Sequence, residues 1–276
     1  MRLESGNHDD GVMIELICVD VDGTLIGASG EVAPEVWDAV ERAREGGARL
    51  AICSGRPAFG QTRELAERLD PAGWHVFQNG ASVVHLPTGR ARSGVIPRPA
   101  VERLVRRARE MGRILELYTD TDYAVESTDE RAERHAGLLG VPFRARDLLS
   151  IEGPVVRAQW LLAAEDLEEV LSWPHDGLSL APSTSPVMPN TAFISVTAPG
   201  LDKAVGVRAV AEELGVPLER VMMVGDGAND LQAMRAVGVP VAMANSEPEI
   251  LEIARHRVGH VDAGGLIEAL ELAARL

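Results

Sequence analysis

Residues 15–24 read ELICVDVDGT: a short apolar run, Glu15 to Val19, that ends at Asp20 and is followed by Asp22, Gly23 and Thr24. A short unbroken apolar run of this kind marks a strand buried on both faces of a parallel sheet. Two other stretches have the same build. Arg49–Cys53 (RLAIC) runs into Ser54-Gly55-Arg56, and Arg220–Val224 (RVMMV) runs into Gly225-Asp226-Gly227-Ala228-Asn229-Asp230. In an open parallel sheet the ligand crevice lies outside the carboxyl ends of the strands. If these strands are neighbours, their three polar clusters are expected to meet in one crevice.

Outward from these clusters the periodicity changes. Pro34–Glu45 carries apolar residues at helical spacing and stops at Gly46-Gly47; Ala58–Leu69 is helical again, and Trp74–Phe77 reads as a third strand. Strands alternating with helices imply βαβ units. The middle differs. Helical stretches over Val101–Glu110, Arg131–Leu139 and Glu165–Leu171 are mixed with strand-like runs at Ile114–Tyr118, Tyr123–Glu126 and Val155–Ala163. The first two runs are close enough to form a hairpin. Pro182, Pro186 and Pro189 crowd the next stretch, which reads as a linker. From Lys203 the alternation returns, with helices over 204–214, 231–236, 250–254 and 266–276 and strands over 220–224 and 239–243. The expected fold class is α/β. A doubly wound parallel core spans residues 13–86 and 189–276, an inserted α+β cap domain spans 87–188, and residues 1–12 form a disordered tail.

The chain has 276 residues, 46% apolar and 25% charged, enough for two domains of ordinary globular composition. Lys and Arg total 27 against 42 Asp and Glu, a formal charge of -15. Nucleic acid and anionic membranes are bound chiefly by Lys and Arg, so neither is an expected partner. A phosphate ester is repelled too, unless its site supplies a metal cation, a lysine or converging backbone N–H groups. No apolar run reaches the roughly 20 residues of a membrane span, and Met1–Gly11 lacks the apolar core of a signal peptide. The two cysteines, Cys18 and Cys53, lie inside apolar runs, which points to free core thiols and a cytoplasmic setting.

The residue types in the clusters suit phosphate chemistry. Asp20 and Asp22 are two positions apart and are expected on one side of the chain, with Asp226 as a third carboxylate. Close carboxylates cannot all stay ionised cheaply. A hard cation such as Mg²⁺ resolves this through oxygen ligands. An ionised aspartate can then attack phosphorus, and a second can protonate the leaving alkoxide and later activate water. Ser54, backbone N–H groups and Lys203 can hold the phosphoryl oxygens.

These residues resemble the haloacid dehalogenase superfamily. Asp20-Val21-Asp22-Gly23-Thr24-Leu25 is similar to its first motif, Ser54-Gly55-Arg56 to its second, Lys203 to its third and Gly225 to Asp230 to its fourth, all in the family's order. Gly-Asp-Gly-x-Asn-Asp followed by Met234, and Asn79-Gly80-Ala81 after the third strand, resemble the Cof-type phosphatases; the insertion resembles their C2-type cap. The resemblance implies Asp20 as nucleophile and Asp22 as general acid and base. It implies Mg²⁺ on the side chains of Asp20 and Asp226 and the backbone carbonyl of Asp22. Ser54, Gly55, Lys203 and Asn229 would contact phosphate, and Asp230 would support the metal site from behind. The substrate would be a small phosphorylated metabolite such as a sugar phosphate. Ala204 departs from the pattern, since many relatives have Gly after the motif lysine.

Each residue also has a plainer reading. Asp-x-Asp-Gly alone is an ordinary turn, Ser54 alone a helix cap and Lys203 alone an exposed first-turn residue. An EF-hand is excluded because its sixth loop position, counted from Asp20, is Leu25 rather than Gly. The seven histidines show no metal-ligand spacing. A phosphotransferase or phosphomutase would carry the same residues, so hydrolysis and transfer are told apart only by the acceptor. A non-catalytic metabolite-binding protein would need neither Asp20 nor Asp22.

Overall fold

The computed structural model describes residues 13–175, 177–185 and 187–276; the expected tail over 1–12 and Pro186 of the expected linker lie outside the described residues. The chain begins with β1 (Leu16–Val19), α1 (Pro34–Glu45), β2 (Arg49–Ile52), α2 (Gln61–Leu69) and the pair β3 (Trp74–Phe77) and β4 (Ser82–His85). The insertion follows with α3 (Arg98–Met111), β5 (Ile114–Tyr118), β6 (Tyr123–Val125), α4 (Glu130–Leu139), β7 (Arg157–Ala163), α5 (Leu167–Leu171), β8 (Ser179–Thr184) and β9 (Thr191–Thr197). The chain closes with α6 (Lys203–Leu214), β10 (Val221–Gly225), α7 (Leu231–Ala236), β11 (Val239–Ala242), α8 (Pro248–Ile253), β12 (His256–Arg257) and α9 (Gly265–Ala273).

The chain divides into two compact units. The first holds the residues up to Ile52 with Val207–Leu276, and the second holds Cys53–Gly206. The first is a five-stranded sheet in the order β12-β11-β10-β1-β2, and every pairing in it is parallel. All four residues of β1 are 0% exposed, as expected for the central strand of a sheet covered on both faces. From β1 the chain moves outward one way to β2, and from β10 it moves the other way through β11 to β12. The boundary between β1 and β10 is therefore the topological switch point of this doubly wound fold, and a ligand site is expected at its carboxyl edge.

The second unit contains the β3–β4 hairpin and an antiparallel sheet in the order β6-β5-β7-β9-β8. One face of that sheet packs Leu115, Leu117, Trp160, Leu162, Ile194 and Val196 under α3. The other face carries Ile114, Tyr118, Leu161 and Phe193 against Ala132 and Ala136 of α4. Polar side chains share this second face, because Glu116, Gln159 and Ser195 are aligned across β5, β7 and β9.

Two sequence expectations are corrected here. The proline-rich stretch is not a linker: β8 pairs with β9 over its whole length, and β9 pairs with β7, so the parallel core does not resume at residue 189. Pro182 is tolerated because β8 is the outermost strand, where a missing N–H disrupts no further ladder. The expected break at residue 86 shifts as well. Gln78 Nε2 donates to the Thr119 carbonyl, and Ser82 and Ser93 hydroxyls donate to Asp120 at 2.5 and 2.8 Å. These bonds fasten the β3–β4 segment to the turn between β5 and β6, so residues 53–86 group with the inserted sheet.

Candidate active site

In the first unit, Asp20 directly follows β1 and Asp226 directly follows β10, the two strands at the switch point. Ligand oxygens from Asp20, Asp226 and Asp230 all lie within 4.8 Å of one another. Asp20 is 5% exposed and Asp230 0%, so water does little to offset their charge. The third member of this cluster is Asp230, and Asp22 is exposed. The cause lies in the backbone. After Asp20 the chain leaves the extended conformation for a turn in which the Leu25 and Ile26 amides both donate to the Val21 carbonyl. Strand alternation therefore no longer sets the direction of Asp22.

Backbone geometry holds the cluster. Asp230 accepts hydrogen bonds from the amides of Asp226 and Gly227 at 3.1 and 3.2 Å, which ties the loop into a tight ring. A side chain at Gly225 would place its Cβ 2.5 Å from an Asp230 oxygen, so only glycine lets that carboxylate fold back. Gly23 has φ +85°, and a Cβ there would come within 2.1 Å of the Asp226 carboxylate. Thr24 Oγ1 donates to Asp226 Oδ1 at 3.2 Å, and Asn245 Nδ2 donates to Asp226 Oδ2 at 3.3 Å and to the Gly23 carbonyl at 2.8 Å. Thr24 and Asn245 thus hold the two Asp226 oxygens from different sides. Three mutually close carboxylates, all oxygen donors, fit a hard divalent cation. Asn245 was missed in the sequence. Its signal was its place just past β11, at the same edge as Asp226.

The second unit holds Ser54, Gly55 and Lys203. Ser54 is 0% exposed; its amide donates to the Val76 carbonyl, and its Oγ accepts from the Arg56 amide at 3.1 Å. It does not cap a helix, since α2 starts at Gln61 after Gly60. The Asn79 amide donates to the Ser54 carbonyl, and the Gln78 amide to the Arg56 carbonyl. Gln78 and Asn79 reach these positions with φ near +53° and +54°, a left-handed conformation uncommon for residues other than glycine. Lys203, the first residue of α6, is 0% exposed, which rules out the reading of an exposed first-turn residue. A lysine is almost never fully buried without partners. Asn229 is exposed, in the first unit.

Residues 17–270 match the haloacid dehalogenase-like hydrolases. The chain belongs to that family. It is a phosphatase of the Cof type with an inserted cap, as its relatives also indicate. It is 27% identical to YxeH of Bacillus subtilis (strain 168) over 266 residues, 94% of this chain and 97% of that one. It is 25% identical to the 5-amino-6-(5-phospho-D-ribitylamino)uracil phosphatase YcsE of the same organism over 251 residues, 89% of this chain and 90% of that one. A crystal structure of a haloacid dehalogenase-like hydrolase from Bacteroides thetaiotaomicron superposes with a TM-score of 0.85 at 27% identity, covering 94% of this chain and 99% of that one. Both cysteines of this haloacid dehalogenase-like phosphatase are buried free thiols, and burial pushes the Cys18 thiol up to about 12. No helix among the described residues is long and apolar enough to cross a membrane.

Proposed function

We propose that this phosphatase hydrolyses a small phosphorylated metabolite, a sugar phosphate or a related polyol phosphate, with Mg²⁺ and through an aspartyl phosphate on Asp20. The observation that carries this reading is the cluster of Asp20, Asp226 and Asp230 at the edge of β1 and β10. Asp20 and Asp226 would hold the ion with their carboxylates and Asp22 with its backbone carbonyl, while Asp230, engaged by two amides, fixes the loop. Bound there, Mg²⁺ offsets the charge of the carboxylates and of the phosphoryl oxygens.

The chain's own groups perform the transfer. The Asp20 carboxylate attacks phosphorus, forming an acyl phosphate as the ester P–O bond breaks. Asp22 gives a proton to the departing alkoxide and then takes one from water. That water attacks the phosphorus, releasing inorganic phosphate and restoring Asp20. Ser54, Gly55, Lys203 and Asn229 contact the phosphoryl oxygens. The substrate class draws support from YcsE, whose name describes a phosphate ester on a ribityl chain.

Calorimetric titration should show Mg²⁺ binding to the wild type and lost binding in Asp226→Asn. Excess chelator should abolish turnover, and added Mg²⁺ should restore it. Full activity in chelator would end the metal reading. A screen of sugar, polyol and nucleotide phosphates with release of inorganic phosphate as readout tests the substrate class.

A further inference from the structure

The inserted sheet buries a cation that this scheme does not use. Arg157, the first residue of β7, is 5% exposed. Its Nη1 donates to the Gly55 carbonyl at 3.0 Å, and its guanidinium lies 4.1 Å from the centre of the Tyr118 ring. Its Nε is buried with no hydrogen-bond partner. Among the described residues Arg157 makes no ion pair.

The fully buried carboxylate on the same sheet face does not fill that role. Glu116 is 0% exposed, and its oxygens accept from Tyr118 at 2.5 Å, Tyr123 at 3.0 Å and Gln159 at 3.5 Å, with His135 Nδ1 at 3.0 Å. Tyr118 joins the two charges: its hydroxyl faces Glu116 and its ring faces Arg157. The carboxylate is therefore fully engaged and the guanidinium is not. Buried charges are normally paired, because leaving water without a counter-charge is costly. The residue that Arg157 grips, Gly55, belongs to the proposed phosphate loop.

We infer that Arg157 is a substrate-binding residue whose charge is completed by an anionic oxygen of the phosphorylated substrate. This rests on the reading of Ser54 and Gly55 as the phosphate loop. The guanidinium suits the task better than an ammonium would, because its planar fork holds Gly55, covers Tyr118 and still presents N–H groups to an oxyanion. The oxygen belongs either to the phosphoryl group or to a second acidic group on the leaving portion. Both supply the same chemistry, and competitors of different charge separate them.

The test compares wild type with Arg157→Met, Arg157→Lys and Ser54→Ala. Nitrophenyl phosphate hydrolysis with Mg²⁺ is competed by inorganic phosphate, glycerol 3-phosphate and 3-phosphoglycerate, and each inhibition constant is measured beside the unfolding midpoint. Arg157→Met should weaken one or more competitors by roughly 10- to 100-fold, the range for a hydrogen bond to a charged group. Weakening of all three assigns the phosphoryl oxygen; weakening of 3-phosphoglycerate alone assigns the second anion. Arg157→Lys, which keeps the charge and is the fallback if the Met variant does not fold, should lie between wild type and Arg157→Met. Unchanged inhibition constants in a folded Arg157 variant would overturn the inference, whatever its kcat or midpoint. Unchanged phosphate inhibition in Ser54→Ala would instead overturn the phosphate-loop reading.

Discussion

Two regions of this chain bury carboxylates in opposite ways. In the inserted sheet, Glu116 stands alone among donors: two tyrosine hydroxyls, a histidine and a glutamine. At the edge of β1 and β10, Asp20, Asp226 and Asp230 crowd together. Asp230 among them accepts from the amides of Asp226 and Gly227. The first arrangement is complete within the protein. Its effect is visible on the neighbours, since burial and then the Glu116 charge hold both Tyr118 and Tyr123 well above the ordinary tyrosine range. The second keeps like charges together, an arrangement that suits a hard divalent cation.

Removing a carboxylate should therefore have different consequences in the two places. Asp20→Asn should lower turnover on the order of 10⁴- to 10⁶-fold, as loss of a nucleophile does; turnover near that of the wild type would erase the contrast. Asp22→Asn should cost on the order of a hundred- to ten-thousand-fold with a sugar phosphate and far less in the phosphorylation step with a nitrophenyl ester, whose leaving group needs no proton. Intact-protein mass should show a phosphate adduct on Asp22→Asn and none on Asp20→Asn.

A third solution to burial is to stay neutral, and His75 sharpens the comparison. It is 0% exposed, its Nε2 lies 2.9 Å from the Asp70 carbonyl, and burial pushes its pKa down from 6.5 to about 4. Below pH 6.5 the unfolded chain binds a proton that the folded one refuses, so this contribution to stability falls with pH until about 4. The full span corresponds to roughly 3 kcal/mol. His75→Gln, which keeps an N–H for Asp70, should flatten the pH dependence of the unfolding free energy in that window; an unchanged slope would contradict it. The smallest effect is expected from Glu116→Gln. It should cost about 1–3 kcal/mol by pairing an amide N–H₂ with donors and leave kcat/KM of the folded enzyme unchanged.

The sequence carried one of these regions far better than the other. β1, β2 and β10 were legible because apolar runs ending in Asp, Ser or Gly signal buried parallel strands and their functional ends. The inserted sheet hid its chemistry. Glu116 in Ile114–Tyr118 follows the alternation of a half-exposed strand, and nothing local says that α4 covers that face. Arg157 continues a run beginning at Val155-Val156 and looks like a strand's ordinary polar end. β8 was lost to Pro182, and β9 to the prolines flanking it. The exposure of Asp22 was not legible either, because a turn's path is set by hydrogen bonds, not by side-chain period.

The central position of β1 also governs how the protein comes off the ribosome. Leu16 pairs with Val221, a partner made 205 residues later. At about 5–20 residues per second, β1 waits roughly 10–40 s with one edge lacking its neighbour. The contiguous unit Cys53–Gly206 is complete before β10 exists. Synthesis thus delivers the inserted sheet first and closes the parallel sheet last. The strand that carries the proposed nucleophile is the one left longest exposed to a chaperone or to a wrong strand partner.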